Sequence, residues 1–300
     1  MLPSDHAARF ERALVSLDGL SVGDAFGERF FGPPGLAQSM LAERKVPRPD
    51  WTWTDDTAMA LSVVEALERR GRIDQGELAD AFARRYVDQP RRGYGGGAHQ
   101  ILQEIVHGSA WRVAAAVPFG PEGSFGNGGA MRVAPLGAYF AEDLERLVVE
   151  ATASAEVTHL HPEGRAGAVA VALAAAWAWR ARPGGADPGP LFDFVLDRLP
   201  ASEVKRGIEQ ARALAPGTPA TDAAERLGSG YRVSAQDTVP FCLWVAHHVS
   251  RNYEESLWQT VSGLGDIDTT CAIVGGIVAL AVGEEGIPRD WRADREDLKW

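Results

Sequence analysis

The segment FERALVSL, residues 10–17, carries the pattern that decides the fold. Its apolar residues Phe10, Ala13, Leu14 and Leu17 recur at i, i+3, i+4 and i+7, the spacing of one face of an α-helix. Gly23 predicts the end of this helix, because glycine commonly follows the last helical residue. We therefore expect an amphipathic helix whose apolar face packs into a core.

The same spacing recurs along most of the chain. Residues 58–67 show it on one face of a second helix, which Gly71 should end. Asp74 and Glu77 form a capping-box-like pair before a third helix. No segment alternates apolar and polar residues between hairpin turns. The sequence predicts an all-α fold, a compact single domain over residues 1–300, with further helices near 98–106, 142–154, 163–180, 190–199, 202–214, 219–227, 236–250 and 269–282.

Composition narrows the class of protein and the kind of partner. Hydrophobic residues make up 45% of the 300 residues and charged residues 24%, the balance of a globular protein. The formal charge of -11 argues against direct binding of nucleic acid or of an anionic membrane. The apolar window 166–179 is too short to span a bilayer and predicts a core helix. The N-terminal residues do not have the pattern of a secretory signal, so the protein is predicted to be cytoplasmic. Cys242 and Cys271 are predicted to be buried hydrophobic residues outside any disulfide.

Two acidic clusters stand directly before predicted helices. The first is residues 54–57, Thr-Asp-Asp-Thr, before the helix expected from Ala58, and the second is residues 265–270, Gly-Asp-Ile-Asp-Thr-Thr. Each could simply cap its helix, because side-chain oxygens accept hydrogen bonds from free N–H groups and negative charge suits the helix dipole. One cap needs only one oxygen, however, and each cluster offers two carboxylates and neighbouring hydroxyls.

The donor chemistry of these clusters suits hard cations. Carboxylate and hydroxyl oxygens are ligands of Mg²⁺, Ca²⁺ or Mn²⁺ rather than of zinc. If the two helices pack side by side, four carboxylates and at least two hydroxyls could enclose a two-metal site. Such a pair of ions can orient vicinal hydroxyls and polarise a water molecule.

Three loop motifs could contact a ligand. Residues 124–132, SFGNGGAMR, could cradle a pyrophosphate through backbone N–H groups, although an ordinary turn explains the glycines equally well. This motif follows no strand and lacks the Lys-Ser/Thr ending of a P-loop. His159 and His161 stand before the Ala-rich helix and are more often partly exposed loop residues than ligands. Tyr94, among the glycines of residues 93–97, fits either a flexible turn or a loop against a nucleotide.

Taken together and in order, these motifs resemble those of the ADP-ribosylglycohydrolase family, which includes dinitrogenase reductase-activating glycohydrolases and serine-ADP-ribose hydrolases. The matching stretches are GDAFG at 23–27, TDDT at 54–57, GNGGAMR at 126–132, TH at 158–159 and GDIDT at 265–269. The resemblance runs from residue 19 to about 280. It implies an all-α domain with a binuclear Mg²⁺ or Mn²⁺ centre, Asp268 contacting both ions, and as metal ligands Thr54, Asp55, Asp56, Asp266, Asp268 and Thr269.

The resemblance also implies a substrate site for ADP-ribose or an ADP-ribosylated substrate. The Gly-rich loop would wrap the pyrophosphate, Phe125 would lie against the ligand, and His159 would reach the phosphates or the distal ribose. The stretch around Gly93 would flank the same cleft. The implied substrate-binding residues are Ser124, Phe125, Gly126, Asn127, Gly128, Gly129, His159, Gly93 and Tyr94.

The chain departs from the family pattern at Phe31. Many members place a glutamate there, seven residues after the aspartate of the first motif, on a mobile loop that serves catalysis or metal binding. The nearest carboxylate here is Glu28, which we predict to lie on that loop. Asp24 is interpreted as structural, part of a helix-ending motif. Glu28 or Asp55 is therefore the predicted group for proton transfer.

The resulting hypothesis is an enzyme, an ADP-ribosylglycohydrolase that cleaves the glycosidic bond of an ADP-ribosyl group and releases ADP-ribose. The carrier could be a protein arginine or serine, a nucleic-acid base or a small acyl ester. One alternative is a non-catalytic ADP-ribose or nucleotide binder, motivated by Phe31. Another is a metal-dependent phosphohydrolase, which would release phosphate or AMP instead.

Overall fold

The computed structural model describes residues 2–300, which are built almost entirely from helices. Within this range there is no sheet, only isolated bridges between Trp51 and Arg295 and between Gly126 and Ser234. The predicted all-α fold is therefore confirmed. The helices are α1 (His6–Glu28), α2 (Leu36–Glu43), α3 (Asp55–Arg70), α4 (Gln75–Asp88), α5 (Gly96–Val106), α6 (Trp111–Ala116), α7 (Gly128–Met131), α8 (Ala134–Tyr139), α9 (Leu144–Glu156), α10 (Pro162–Arg180), α11 (Leu191–Leu196), α12 (Glu203–Ala213), α13 (Ala220–Leu227), α14 (Ala235–His248), α15 (Tyr253–Ser262), α16 (Ile267–Val282) and α17 (Arg289–Asp294), with a 3-10 turn at Glu284–Gly286.

Helix α1 runs past Gly23 to Glu28, so the prediction that Gly23 ends it is wrong. The reason is a close contact with α16. Gly19, Gly23 and Gly27 recur every four residues on the α1 face that touches α16. A Cβ atom on Gly23 would overlap the carbonyl oxygen of Cys271, and one on Gly27 would lie 2.6 Å from the carbonyl oxygen of Ile267. The missing side chains let the two helices approach closely, and this contact outweighs the weak helix propensity of glycine.

Helix α10 is the Ala-rich core helix that the sequence predicts. Most of its residues from Ala166 to Ala178 are buried, and it packs against α8, α9, α14 and α16. Cys242 and Cys271 are buried and free, as predicted. The segment 182–190 is a mostly exposed connection between α10 and α11. No helix within residues 2–300 combines the length and the apolar character needed to cross a bilayer.

The two helices that carry the acidic clusters begin earlier than the sequence predicts. Helix α3 starts at Asp55, with Thr54 as its N-cap, and α16 starts at Ile267, with Asp266 as its N-cap. Asp55, Asp56 and Asp268 consequently lie in first helical turns, where negative charge is favourable. The far end of α3 is as predicted, because Gly71 closes it in the left-handed conformation at φ 62°.

Candidate active site

Three carboxylates from distant parts of the chain meet at one end of the α1–α16 pair. Asp24, Asp56 and Asp268 each offer an oxygen, and these three oxygens lie within 4.8 Å of one another. We call these residues the carboxylate cluster. The glycine contact between α1 and α16 brings Asp24 to Asp268, and the N-terminus of α3 adds Asp56. The fold thus builds a compact, oxygen-rich site from three helices.

Asp24 is the member of the cluster that sequence reasoning missed as a site residue. It is completely buried, and its carboxylate accepts hydrogen bonds from the backbone N–H groups of Thr54 and Thr57, at 2.9 and 3.1 Å. The hydroxyls of both threonines also donate to it. Asp24 therefore caps α3 across space and lies against the other carboxylates at the same time. The signal was its place in the GDAFG motif, which we interpreted as a helix end.

Asp56 and Asp268 carry oxygens without any partner. Asp56 Oδ2 accepts from the hydroxyl of Thr269 at 3.4 Å and lies 3.1 Å from Thr54 Oγ1, whose single proton is donated to Asp24. Asp56 Oδ1 and Asp268 Oδ1 are buried and make no hydrogen bond. Buried polar atoms are normally satisfied, and an unpaired buried carboxylate is costly. These two atoms are buried hard oxygen donors, the kind of ligand that a divalent cation such as Mg²⁺ prefers.

Burial and mutual repulsion raise the pKa values of the acidic residues. Burial raises the pKa of Asp24 to about 6 and that of Asp55 to about 7, with the charge of Asp24 adding to the shift of Asp55. The pKa values of Asp56 and Asp268 are raised further, first by burial and then by neighbouring carboxylates. Without a cation the site is therefore electrostatically strained.

Asp266 and Asn127 join the Gly-rich loop to the acidic site. Asn127 is buried and donates from its side-chain amide to Asp266 Oδ2 at 2.7 Å and to Thr238 Oγ1 at 3.1 Å. The sequence predicted Asn127 as a substrate-binding residue. Its side-chain amide nitrogen holds Asp266, a predicted metal ligand, and the contact of Asn127 with a substrate stays a prediction.

Asp55 lies beside the Arg92-Gly93-Tyr94 stretch. The backbone N–H of Asp55 donates to the carbonyl oxygen of Arg92 at 2.6 Å. A Cβ atom on Gly93 would lie 3.6 Å from Asp55 Oδ1, so Gly93 lies beside Asp55. Tyr94 is buried, and its ring packs edge-on against Tyr86 at a centroid distance of 5.2 Å. Its contact with a substrate stays a prediction.

His159 fills the space that the glycines of the loop leave. A Cβ atom on Gly128 would lie 2.9 Å from its Cε1 atom, and one on Gly126 would lie 3.1 Å from Nε2. These two glycines therefore make room for an imidazole ring, in addition to any room for a ligand. Gly129 is buried against Ala155 and serves packing.

Hydrogen bonds determine the state of this imidazole. Thr158 Oγ1 accepts from the guanidinium of Arg132 at 3.0 Å and lies 2.7 Å from His159 Nδ1. The hydroxyl can donate its one proton to Nδ1 while it accepts from Arg132, and in this arrangement the ring proton is on Nε2. Burial and the nearby charge of Arg132 lower the pKa of His159 to about 3. His159 is therefore a neutral ring whose Nε2 faces the loop.

The loop is exposed at Phe125 and joined to a second loop that sequence reasoning missed. The side chain of Phe125 is 47% exposed, while Ser124 Oγ accepts from the N–H of Gly126 inside the turn. The carbonyl oxygen of Phe125 accepts from the N–H of Ala235 at 3.0 Å. This brings residues 228–234 alongside, with Tyr231 85% exposed. The only signal in the sequence was the spacing of two glycines before Tyr231.

Glu28 is the last residue of α1, so the prediction that it lies on a loop is wrong. Helix α1 continues because its glycine face follows α16 as far as Gly27. Burial and the charge of Asp24 raise the pKa of Glu28. Phe31, where many family members have glutamate, is exposed.

The fold and the site define a class, a helical enzyme with a buried carboxylate site beside a Gly-rich loop. The particular family follows from comparison. A family model described as ADP-ribosylglycohydrolase matches residues 5–300, and the chain belongs to this family.

Two relatives and one solved structure show how far the similarity extends. The chain is 28% identical to ADP-ribosylhydrolase ARH3 of Gallus gallus, over 96% of this chain and 89% of that protein. It is 27% identical to ADP-ribosyl-[dinitrogen reductase] glycohydrolase of Rhodospirillum rubrum, over 96% and 90%. A structure titled ADP-ribosylglycohydrolase-related protein complex aligns with a TM-score of 0.68 and 27% identity, covering 96% of this chain and 93% of that one. The similarity spans nearly the whole chain in each comparison.

Proposed function

We propose that this protein hydrolyses the glycosidic bond of an ADP-ribosyl group and releases ADP-ribose, using two divalent metal ions, Mg²⁺ or Mn²⁺. The observation that carries the metal requirement is the pair of buried oxygens without partners, Asp56 Oδ1 and Asp268 Oδ1, within a crowded carboxylate cluster. The names of the two relatives, each of which refers to an ADP-ribosyl substrate, support the choice of substrate.

The metal ligands that we propose are those implied by the family motifs. They come from the first turns of α3 and α16, and Asp24 holds the α3 side in place through Thr54. When bound, the two ions would bind the ribose hydroxyls and lower the pKa of a water molecule. The proposed ligands are Thr54, Asp55, Asp56, Asp266, Asp268 and Thr269.

The substrate would lie across the Gly-rich loop. Backbone N–H groups of residues 124–129 and the Nε2–H of His159 are donors suited to a pyrophosphate. Phe125 and Tyr231 are exposed aromatic rings on segments that are hydrogen-bonded to each other, and we propose that they contact the nucleoside part. Gly93 leaves room beside Asp55. We treat residues 1–300 as one domain, which the single cluster of core residues from Ala13 to Trp291 supports.

The chemistry needs one proton acceptor and one proton donor. A water oxygen forms a bond to the anomeric carbon, and the glycosidic bond breaks with its electron pair moving to the leaving atom. One carboxyl group of the pair Asp55 and Glu28 takes the proton from the water, and the other gives its proton to the leaving atom. The raised pKa of Glu28 suits the donating role, because a carboxyl group that keeps its proton nearer to neutral pH can supply it.

The test is a panel of arginine-, serine- and DNA-linked ADP-ribose substrates, incubated with Mg²⁺ or Mn²⁺ and analysed for products. We expect free ADP-ribose from at least one substrate, and no release by Asp268→Ala. Release of AMP or phosphate instead would make the protein a phosphohydrolase.

A binder is the second candidate, because Phe31 stands exposed where a catalytic glutamate is expected. If the protein binds the ADP-ribosylated substrates of the panel but releases ADP-ribose from none of them, it is a binder, and the proposed hydrolysis is wrong.

A further inference from the structure

The last residues of the chain contact the segment that leads into the first acidic cluster. The N–H of Trp51 donates to the carbonyl oxygen of Asp294 at 2.8 Å, and the N–H of Glu296 donates to the carbonyl oxygen of Trp51 at 2.8 Å. The indole N–H of Trp53 donates to the carbonyl oxygen of Asp297 at 3.4 Å. The C-terminal tail, residues 295–300, is thus bonded to residues 51–53, directly before Thr54.

Arg92 connects this tail to the site. Its guanidinium donates to both carboxylate oxygens of Glu296, at 2.7 and 2.8 Å, and to the carbonyl oxygen of Trp53 at 2.9 Å. It also stacks on the Trp53 ring at 3.4 Å from the centroid. The carbonyl oxygen of Arg92 accepts the hydrogen bond from the N–H of Asp55 at 2.6 Å. Arg92 therefore contacts the C-terminal tail through its side chain and Asp55 through its backbone carbonyl group.

The connection matters because Arg92 stands directly before a glycine, while the packing of Tyr94 against Tyr86 fixes the segment only beyond that glycine. The segment between α4 and α5 covers residues 89–95 and includes Gly93, at φ 86°, and Gly95. Glycines leave such a segment conformationally free. A guanidinium–carboxylate fork fixes both distance and orientation, and here both side chains are largely buried, 12% exposed for Arg92 and 25% for Glu296. The pKa of Glu296 is lowered, chiefly by its hydrogen bond from Arg92.

We propose that Glu296 is a positioning residue for the candidate active site. By holding Arg92 from the C-terminal tail, it fixes the carbonyl oxygen and the glycine that border Asp55, and so keeps Asp55 in the geometry that binds a cation. This inference rests on the proposed function for the metal ion. The contacts that fix Asp55 lie within the protein and do not depend on that ion.

The experiment compares Glu296→Gln with Glu284→Gln. Glu284 is a matched control, because it also accepts from an arginine near the C-terminus, Arg292 at 2.7 Å, and makes no contact with residues 51–55. Hydrogen exchange of the Asp55 amide is measured in metal-free protein, and Mn²⁺ affinity is measured by calorimetry. We expect faster exchange and about tenfold weaker Mn²⁺ binding in Glu296→Gln only, the size typical of residues that orient metal ligands.

The outcomes separate the inference from the proposed function. If exchange at Asp55 is the same in Glu296→Gln and Glu284→Gln, the positioning role is overturned. If the wild-type protein binds Mn²⁺, equal Mn²⁺ affinity of the two variants also overturns it. If the wild-type protein binds no Mn²⁺, the proposed metal requirement fails, and the exchange measurement alone tests the positioning role. A chain ending at Arg295 is the second variant, and it should show at least the same loss as Glu296→Gln.

Discussion

Glu28 is the carboxylate best placed to exchange a proton without being committed to a cation. It ends α1, half-buried, and it accepts no hydrogen bond from a capping residue as Asp24 does. Burial and the neighbouring charge of Asp24 raise its pKa. The four aspartates of residues 55, 56, 266 and 268 would lose their raised pKa values on binding cations. We therefore propose Glu28 as the group that supplies a proton to the leaving atom.

Glu28→Gln tests this role, because glutamine keeps the size and hydrogen bonding but cannot exchange a proton. We expect kcat to fall by ~10²-fold or more, with ADP-ribose affinity retained. Steady-state kinetics and calorimetric titration with ADP-ribose measure the two effects. Glu43→Gln is the control, since Glu43 also ends a helix, α2, and is exposed. An unchanged kcat in Glu28→Gln would assign the proton transfer to Asp55 or to a metal-bound water.

At the scale of single residues, most acidic side chains of the site could be identified from the sequence, but their hydrogen-bond partners could not. It placed residues 54–56 opposite 266–269, and Thr269 Oγ1 does lie 3.4 Å from Asp56 Oδ2. It left Asp24 out of the carboxylate cluster, and it gave no sign of the hydrogen bond between Asn127 and Asp266. The hydrogen bond of Asn127 joins it to Asp266, 139 residues away, and local pattern carries no information about such a partner.

At the scale of elements, the contact between α1 and α16 determines where the carboxylates meet. The sequence predicted helix ends from local propensity, which worked at Gly71 and failed at Gly23. Gly71 adopts the left-handed conformation that favours glycine. Gly23 is instead required by the backbone of a helix more than two hundred residues later in the chain. A helical glycine can thus mark an end or a contact, and only the packing distinguishes the two.

Gly23→Ala tests the contact. The added methyl group would overlap the carbonyl oxygen of Cys271, so α1 must move away from α16 and Asp24 away from Asp268. We expect a loss of about 1–3 kcal/mol in the free energy of unfolding, the usual cost of overpacking, together with weaker Mn²⁺ binding. Urea denaturation and calorimetry measure these changes.

Gly76→Ala is the matched control for this substitution. Gly76 also lies in a helix, α4, and the nearest atom to an added Cβ is 3.6 Å away. This control should be neutral or more stable by about 0.4–1 kcal/mol. A Gly23→Ala protein as stable as the Gly76→Ala protein would show that α1 and α16 are not held together by close backbone contact.

At the scale of the whole molecule, the net charge can be read from the sequence, but its distribution between surface and interior cannot. The formal charge of -11 can be counted from the sequence. The concentration of negative charge inside the protein cannot, because it depends on three helices converging. This concentration makes folding depend on pH. A carboxylate with a raised pKa in the folded state stabilises the fold at pH values below its unfolded pKa, and this contribution is lost as the pH rises through the folded pKa.

The last prediction is that the metal-free protein loses stability between pH 6.5 and 8. The pKa of Asp55 is raised from 3.8 to about 7, and those of Asp56 and Asp268 are raised well above 3.8. In this window the folded protein still binds protons that the unfolded chain has released, so deprotonation favours unfolding. The pKa of His159 is lowered to about 3, so its opposing contribution is largely complete below pH 6.5.

We therefore expect Tm in EDTA to fall by a few degrees from pH 6.5 to 8, as measured by calorimetry. Mg²⁺ should raise Tm more at pH 8 than at pH 6.5, because cations bind the deprotonated carboxylates and compensate their repulsion. Asp268→Ala should flatten the dependence in EDTA, since it removes one of the repelling groups, and should abolish the Mg²⁺ effect. A Tm in EDTA that rises over this range would mean that the buried carboxylates are already compensated by the protein, and the argument for cations at Asp56 and Asp268 would lose its basis.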